Sequence, residues 1–190
     1  MVSGPVAYTA LIALVGVERL AELRLSRRHA AASFARGAVE VGRGHYGVMS
    51  VFHGAFLAAC VAEAWWVGRP FPGALGWAAL AGAALAQALR YWAIATLGDR
   101  WNTRVIVLPD AEPVTGGPYR YLKHPNYLAV VLEMACLPLV HGGWWTALVF
   151  SLGNAAILWV RVRAEEAALG PRYAAAFAGR GRFVPEVSRG

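Results

Sequence analysis

Five apolar stretches, near residues 5–23, 47–67, 72–97, 127–141 and 143–160, take up most of this chain. A helix needs about 20 residues to cross a bilayer. Backbone in lipid must satisfy its own hydrogen bonds, which a helix does within one segment. The pattern therefore predicts an all-α integral membrane protein of about five transmembrane helices. The fourth stretch is short, so it must tilt, begin inside the preceding loop or reach only part way. Only 15% of the residues are charged and 58% are hydrophobic, against about 25% charged in an average soluble domain. The length fits a single membrane domain, 1–190, in which 1–97 forms a supporting three-helix bundle and 98–190 supplies a loop, a helical hairpin and a tail.

A net charge of +7 could suggest nucleic acid, but the positions of the charges argue against it. The first connection holds Arg24, Arg27, Arg28, Arg36 and Arg43, and the third holds Arg100, Arg104, Arg120 and Lys123. The tail holds Arg161, Arg163, Arg172, Arg180, Arg182 and Arg189. With five spans, 15 of the 18 basic residues fall on one side and only Arg69 on the other. That sorting puts the N-terminus outside and the C-terminus in the cytoplasm, and an even span count would destroy it. Trp65, Trp66, Trp144 and Trp145 then lie at the outer interface, where indoles concentrate. No basic n-region precedes the first apolar stretch, which runs into Glu18 and Arg19, so no cleavable signal peptide is expected. Cys60 and Cys136 lie in apolar stretches without metal spacing and read as inert packing residues.

The connections differ in character. The first, RRHAAASFARGAVEVGRGHYG, is basic and amphipathic and should lie along the membrane surface. The third, Gly98 to Asn126, is long, and long loops in compact domains are usually functional or disordered. Its Trp101, Tyr119 and Tyr121 argue against disorder, VIVLP suits a short extended piece, and the Asp99–Pro113 portion could close as a lid. Ionisable groups inside the membrane are candidates for function. Glu18, Arg19 and Glu22 cluster in the first stretch, Gln87 and Arg90 in the third, and Glu133 two turns into the fourth. His124 precedes Pro125, which suits a first helical turn. Asn154, Arg161 and Glu165 share one helix face. No dinucleotide fingerprint, P-loop, zinc spacing, nucleophile elbow or His/Cys metal cluster occurs. Partners are therefore expected to be the lipid bilayer and a lipophilic small molecule, with no nucleic acid and no metal.

The composite of GPYRYLKHPNYL, a hydrophobic hairpin, the pair Glu165-Glu166, then Tyr173 and RFVP closely resembles the isoprenylcysteine carboxyl methyltransferase family of integral membrane enzymes. RLAELRLSRRH, GAVEVGRGHYG and DRWNTRVIVLP look like a bacterial subgroup whose members often accompany type III polyketide synthases and methylate alkylpyrones or alkylresorcinols. The resemblance implies S-adenosylmethionine as methyl donor, bound without a Rossmann fold, and a multi-pass place in the bacterial inner membrane. His124, Pro125 and Tyr127 match the family's His-Pro-x-Tyr element, which contacts the cofactor, and Tyr121 and Leu128 flank it. Glu165 and Glu166 match its acid pair, of which at least one holds the cofactor. Lys123 stands where arginine is commoner and Ala129 where glycine is commoner. A similar His-Pro-Asn-Tyr element in membrane sterol reductases binds a dinucleotide, but carboxylates suit a sulfonium and an ammonium better than phosphates.

Methyl transfer from an activated donor needs mainly alignment. An already ionised carboxylate or enol needs an arginine to hold it, for which Arg161 and Arg163 are the candidates. A phenol needs a base, for which Glu133 or His124 is the candidate.

Overall fold

The computed structural model describes residues 4–185, apart from the side chains of Arg43 and His45. Arg189, counted above among the tail cations, lies outside the described residues. The described chain forms five α-helices: α1 (Pro5–Ala35), α2 (Arg43–Val67), α3 (Ala74–Leu97), α4 (Pro125–Leu139) and α5 (Trp144–Ala176). Two short strands, β1 (Val39–Val41) and β2 (Val105–Val107), pair antiparallel with Val39 opposite Val107. The VIV of VIVLP is thus extended, as its β-branched residues predict, and the chain turns at Pro109.

The first connection departs from expectation. Its initial half does not lie separately on a surface but continues α1 to Ala35. Alanine and arginine dominate there, both strong helix formers, and no glycine occurs before Gly37. The chain then passes into β1, which joins this connection to the third one.

Helices alternate in direction, so one end of the bundle gathers the end of α1, both strands, the long third connection and the end of α5. Ser26 donates to Asn102 (2.8 Å) and Arg161 to the Thr103 carbonyl (2.6 Å) across that end. At the other end Arg69 donates to Glu63 (2.8 Å), which accepts from the Thr146 amide (2.7 Å).

The short α4 is the axle. It packs on α3 and α5, and the buried Tyr8 hydroxyl of α1 donates to its Leu137 carbonyl (3.0 Å). Ala129, Val130, Met134 and Leu137 are buried. Small residues bring α3 close, as the alanine-glycine pattern predicts: a Cβ on Gly82 would sit 2.7 Å from Cys136 Sγ. Both cysteines are free.

By length and composition, Tyr46–Val67 and Trp144–Ala176 can each cross a membrane. Outward faces are apolar on α1, α2, α3 and α5, with Leu14, Val51, Leu85 and Leu152 all exposed. Large apolar side chains exposed on four helices suit contact with lipid better than with water.

Inside the bundle lies a network of opposite charges. Glu133 pairs with Arg90 and lies 3.5 Å from Arg19, which also contacts Glu18 and Glu22; Gln87 bonds to Glu18. The partner that a carboxylate in the fourth stretch requires is therefore supplied by two arginines. Removing one partner of a buried pair typically costs about 3–5 kcal/mol because the other charge is stranded. Arg90→Met should accordingly lower thermal stability in detergent by about 3 kcal/mol. The double variant with Glu133→Gln should lose less than the sum of the two single losses. Strict additivity would show that the pair is not coupled.

Candidate active site

The site is built where the third connection meets the tail. Gly117 takes a left-handed backbone (φ +52), and a Cβ there would collide with the Thr96 side chain, so glycine lets the GGP turn lie on the end of α3. A 3-10 turn over Gly117–Arg120 then buries Tyr119 against Ala93 and Phe177. Burial among these groups holds the Tyr119 phenol in its proton-bearing form, with its pKa pushed up. Within α5, Gly170 (φ 71) breaks the helical path before Pro171, turning the last stretch back over the loop. The tail completes the fit: the amides of Lys123 and His124 donate to the carbonyls of Gly181 (3.0 Å) and Arg182 (3.1 Å). Tyr173 donates to the Lys123 carbonyl (3.2 Å).

Two chains of polar contacts run across this floor. In the first, His124 Nε2–H donates to Glu166 (3.0 Å), which also receives two bonds from Arg182 (2.6 and 2.9 Å). Bonding to Arg182, helped by His124, holds the Glu166 carboxyl below the usual carboxylate range despite partial burial. The same bonds raise the Arg182 pKa. In the second, Tyr127 donates to Glu165 and accepts from Arg161 Nε (2.7 Å), whose Nη2 holds the Thr103 carbonyl (2.6 Å). The His124 and Tyr127 rings stack at 5.3 Å. The adjacent acids therefore differ in role. Glu166 is saturated by its bonds, while Glu165 faces open space.

That space is a cavity of about 480 Å³ roofed by residues Arg100 to Val114, with Lys123, His124, Tyr127, Glu165 and Tyr173 on its walls. A second cavity of about 280 Å³ lies deeper, between α1 and α2, lined by Gly16, Leu20, Leu23, Met49, His53, Gly54 and Leu57 with Arg19, Glu22 and Arg90 at one wall. Trp101, Asn102, Asn126, Tyr127 and Arg161 line both. At this shared wall Trp101 Nε1 and Asn126 Oδ1 are buried without a partner among the described residues. Unpartnered buried polar atoms are rare and call for an explanation, of which a bound polar molecule is one.

Of the residues singled out by sequence, His124, Tyr127, Arg161 and Glu165 are brought together here. Others are not. Glu133 lines neither cavity, because Arg90 and Arg19 hold its carboxylate. Arg163 is exposed, with its guanidinium over the Trp159 ring on the outer face of α5. Tyr121 is half exposed beneath Arg120. Pro125 is buried and Leu128 half-buried in the start of α4, outside both cavity linings. Asn154 is buried on the same helix as Arg161, its Oδ1 unpartnered among the described residues. Conversely, Asn126 and His53 were not singled out by sequence, and Trp101 only as a sign of order in its loop; the unpartnered atoms and the cavities bring them to the site.

More cations reach the first cavity than the acid pair suggests. Arg100, Arg104, Lys123 and Arg172 line it besides Arg161. Most are engaged: Arg100 with the Glu112 carbonyl, Arg104 with Glu40 (3.2 Å) and Arg172 with Asp110 (3.2 Å).

The helical bundle thus holds two adjoining cavities, the first edged by several charged side chains and the second lined mainly by apolar ones. The chain belongs to the isoprenylcysteine carboxyl methyltransferase family, whose model matches residues 78–171. This is a family of membrane methyltransferases, and the matched span contains His124, Tyr127, Arg161 and both acids. Two bacterial relatives are similar over a larger part of the chain than the family model matches. The uncharacterized protein YpbQ of Bacillus subtilis (strain 168) is 39% identical over 169 residues, covering 84% of this chain and 94% of its own. An uncharacterized protein of Haemophilus influenzae (strain ATCC 51907 / DSM 11121 / KW20 / Rd) is 31% identical over 152 residues, covering 80% and 88%.

Proposed function

We propose that this protein is an S-adenosylmethionine-dependent O-methyltransferase acting in the bacterial inner membrane. Its substrate is an amphiphile with a long apolar tail and an acidic hydroxyl, of the alkylpyrone or alkylresorcinol type. The observation that carries this reading is the meeting of the two cavities at Asn126, Tyr127 and Arg161. The larger one falls within the range of about 300–1,000 Å³ typical of cofactor sites. With about five membrane helices, the short α4 among them, and the N-terminus outside, the first cavity lies on the cytoplasmic side.

S-adenosylmethionine supplies a methyl group already activated for displacement. Glu165 offers its positive centres a carboxylate, and Lys123 offers its carboxylate a cation. Trp101 Nε1 and Asn126 Oδ1 provide a donor and an acceptor that the protein leaves open. Arg161 lies at the shared wall, where it can hold an ionised substrate oxygen. The apolar side chains of α1 and α2 receive the tail from between the helices. The loop over Asp99–Pro113 excludes water from above, and orientation of this kind is worth about 7–11 kcal/mol in reactions of this class.

Purified protein given methyl-labelled S-adenosylmethionine should label an alkylresorcinol or alkylpyrone in detergent. Lipids from cells with the gene should contain a species one methyl heavier than those without it. Label on prenylated cysteine or on an aminolipid would move the substrate to a carboxyl or an amine. No label in any lipid extract would leave a non-enzymatic scaffold. The cations around the first cavity favour one other reading, a reductase holding a phosphate-bearing dinucleotide. That reading requires NADPH consumption, which we expect to be absent.

A further inference from the structure

On the reading that the reaction is O-methylation of a hydroxyl, we propose that His53 of α2 is the general base that takes the hydroxyl proton. His53 lines the second cavity. Its Nδ1 lies 2.8 Å from the Met49 carbonyl. A carbonyl only accepts, so Nδ1 carries the hydrogen and Nε2 is the basic nitrogen. Nε2 makes no hydrogen bond among the described residues, and it is not among the buried atoms left without a partner. It is therefore not sealed off by the protein, and its ring belongs to the cavity lining.

The other candidates are occupied or unsuitable. His124 lines only the first cavity and gives its Nε2–H to Glu166. Glu133 lines neither and is held by two arginines. On the wall of the second cavity Glu22 is paired with Arg19 and Arg90. Tyr46 and Tyr127 are phenols, which ordinarily hold their protons at neutral pH. Among the described residues lining this cavity, His53 alone ordinarily titrates near neutrality.

Charged groups surround it from four other helices. Glu18, Arg19 and Glu22 come from α1, Arg90 from α3, Glu133 from α4 and Arg161 from α5. Glu133, Arg90 and Arg19 are within electrostatic reach of the His53 ring. Within the network of α1, α3 and α4, three carboxylates face two guanidiniums. Arg161 on the same cavity wall brings the guanidiniums to three, so the charges around the ring balance without it. The step then closes: the substrate O–H proton moves to His53 Nε2 and the oxygen forms a bond to the methyl carbon. The carbon–sulfur bond breaks, and its electron pair stays on sulfur as a neutral thioether. Water reprotonates nothing in the product, and His53 later returns its proton to bulk solvent.

Two substrates of different acidity test this. With a resorcinol, whose hydroxyl is protonated at neutral pH, His53→Gln should lower kcat about 100-fold at pH 7. With a pyrone enol, already ionised there, the loss should stay below about tenfold. The resorcinol deficit should shrink as pH approaches the phenol's own ionisation, and added imidazole should restore part of the activity of His53→Ala. S-adenosylhomocysteine affinity measured by calorimetry serves as the check on folding. If the variants do not fold, wild-type protein still decides. Its kcat for the resorcinol should fall with decreasing pH along an imidazole-like limb that the enol does not show. Equal losses with both substrates, or a wild-type resorcinol profile without that limb, overturn the proposal and leave methyl transfer intact. If wild type methylates neither hydroxyl, the proposal falls together with the reading beneath it.

Discussion

Glu165→Gln should weaken S-adenosylmethionine binding by about 100-fold or more in calorimetry, with the fold unchanged. The substitution keeps the shape of the side chain and its ability to accept from Tyr127, so only the charge is lost. Glu165 lines the first cavity and has no arginine or lysine within ion-pair distance among the described residues. Its neighbour is different: Glu166 is tied to His124 and Arg182. Glu166→Gln should therefore disturb binding indirectly and less, by about tenfold, through loosened placement of His124. A further comparison isolates the charge. S-adenosylmethionine carries a sulfonium that S-adenosylhomocysteine lacks, so Glu165→Gln should cost the former more. Equal affinity of wild type and Glu165→Gln for both molecules would remove Glu165 from the cofactor site.

The division between the two acids was not legible in the sequence, where they are simply adjacent. Residues one apart on a helix point about 100° apart, so only one can face a given cavity. Which one does depends on where α5 meets the loop. Other parts were legible because they rest on local physics. Apolar stretches, Pro125 and the VIVLP segment foretold α2, α3, α4 and β2 to within a few residues, while α5 runs sixteen residues past the end of its apolar stretch at 160. The continuation of α1 was missed because charge and alanine were read as surface pattern rather than as helix propensity. Glu133 and Arg163 were proposed for chemistry from their types and positions. Their actual partners lie on other helices or on the outer face, which spacing along one chain cannot reveal. The places of His53 and Trp101 were not legible for the same reason: each lines a cavity formed by several separate segments.

Arg161→Met should lower kcat by about 10³-fold, near the top of the range seen when a preorganised donor is removed from a reacting oxygen. Arg161 is buried, at 5% exposure, and its two bonds join Tyr127 to the Thr103 carbonyl. Methionine fills much of the same volume but leaves both of those oxygens without their donor. It also removes the cation nearest the wall that the two cavities share. Arg161→Lys keeps the charge but not the planar fork, so it cannot hold Tyr127 and Thr103 together. Its kcat should fall between the two, by about 10- to 100-fold. The measurement that separates roles is cofactor affinity. If Arg161 acts at the shared wall on the substrate oxygen, S-adenosylhomocysteine binding should change by less than about tenfold in both variants while turnover collapses. If affinity falls in step with turnover, Arg161 belongs to the cofactor chamber, and the acceptor oxygen must be held by another group. If Arg161→Met keeps wild-type turnover, the wall between the cavities is not where the methyl group passes.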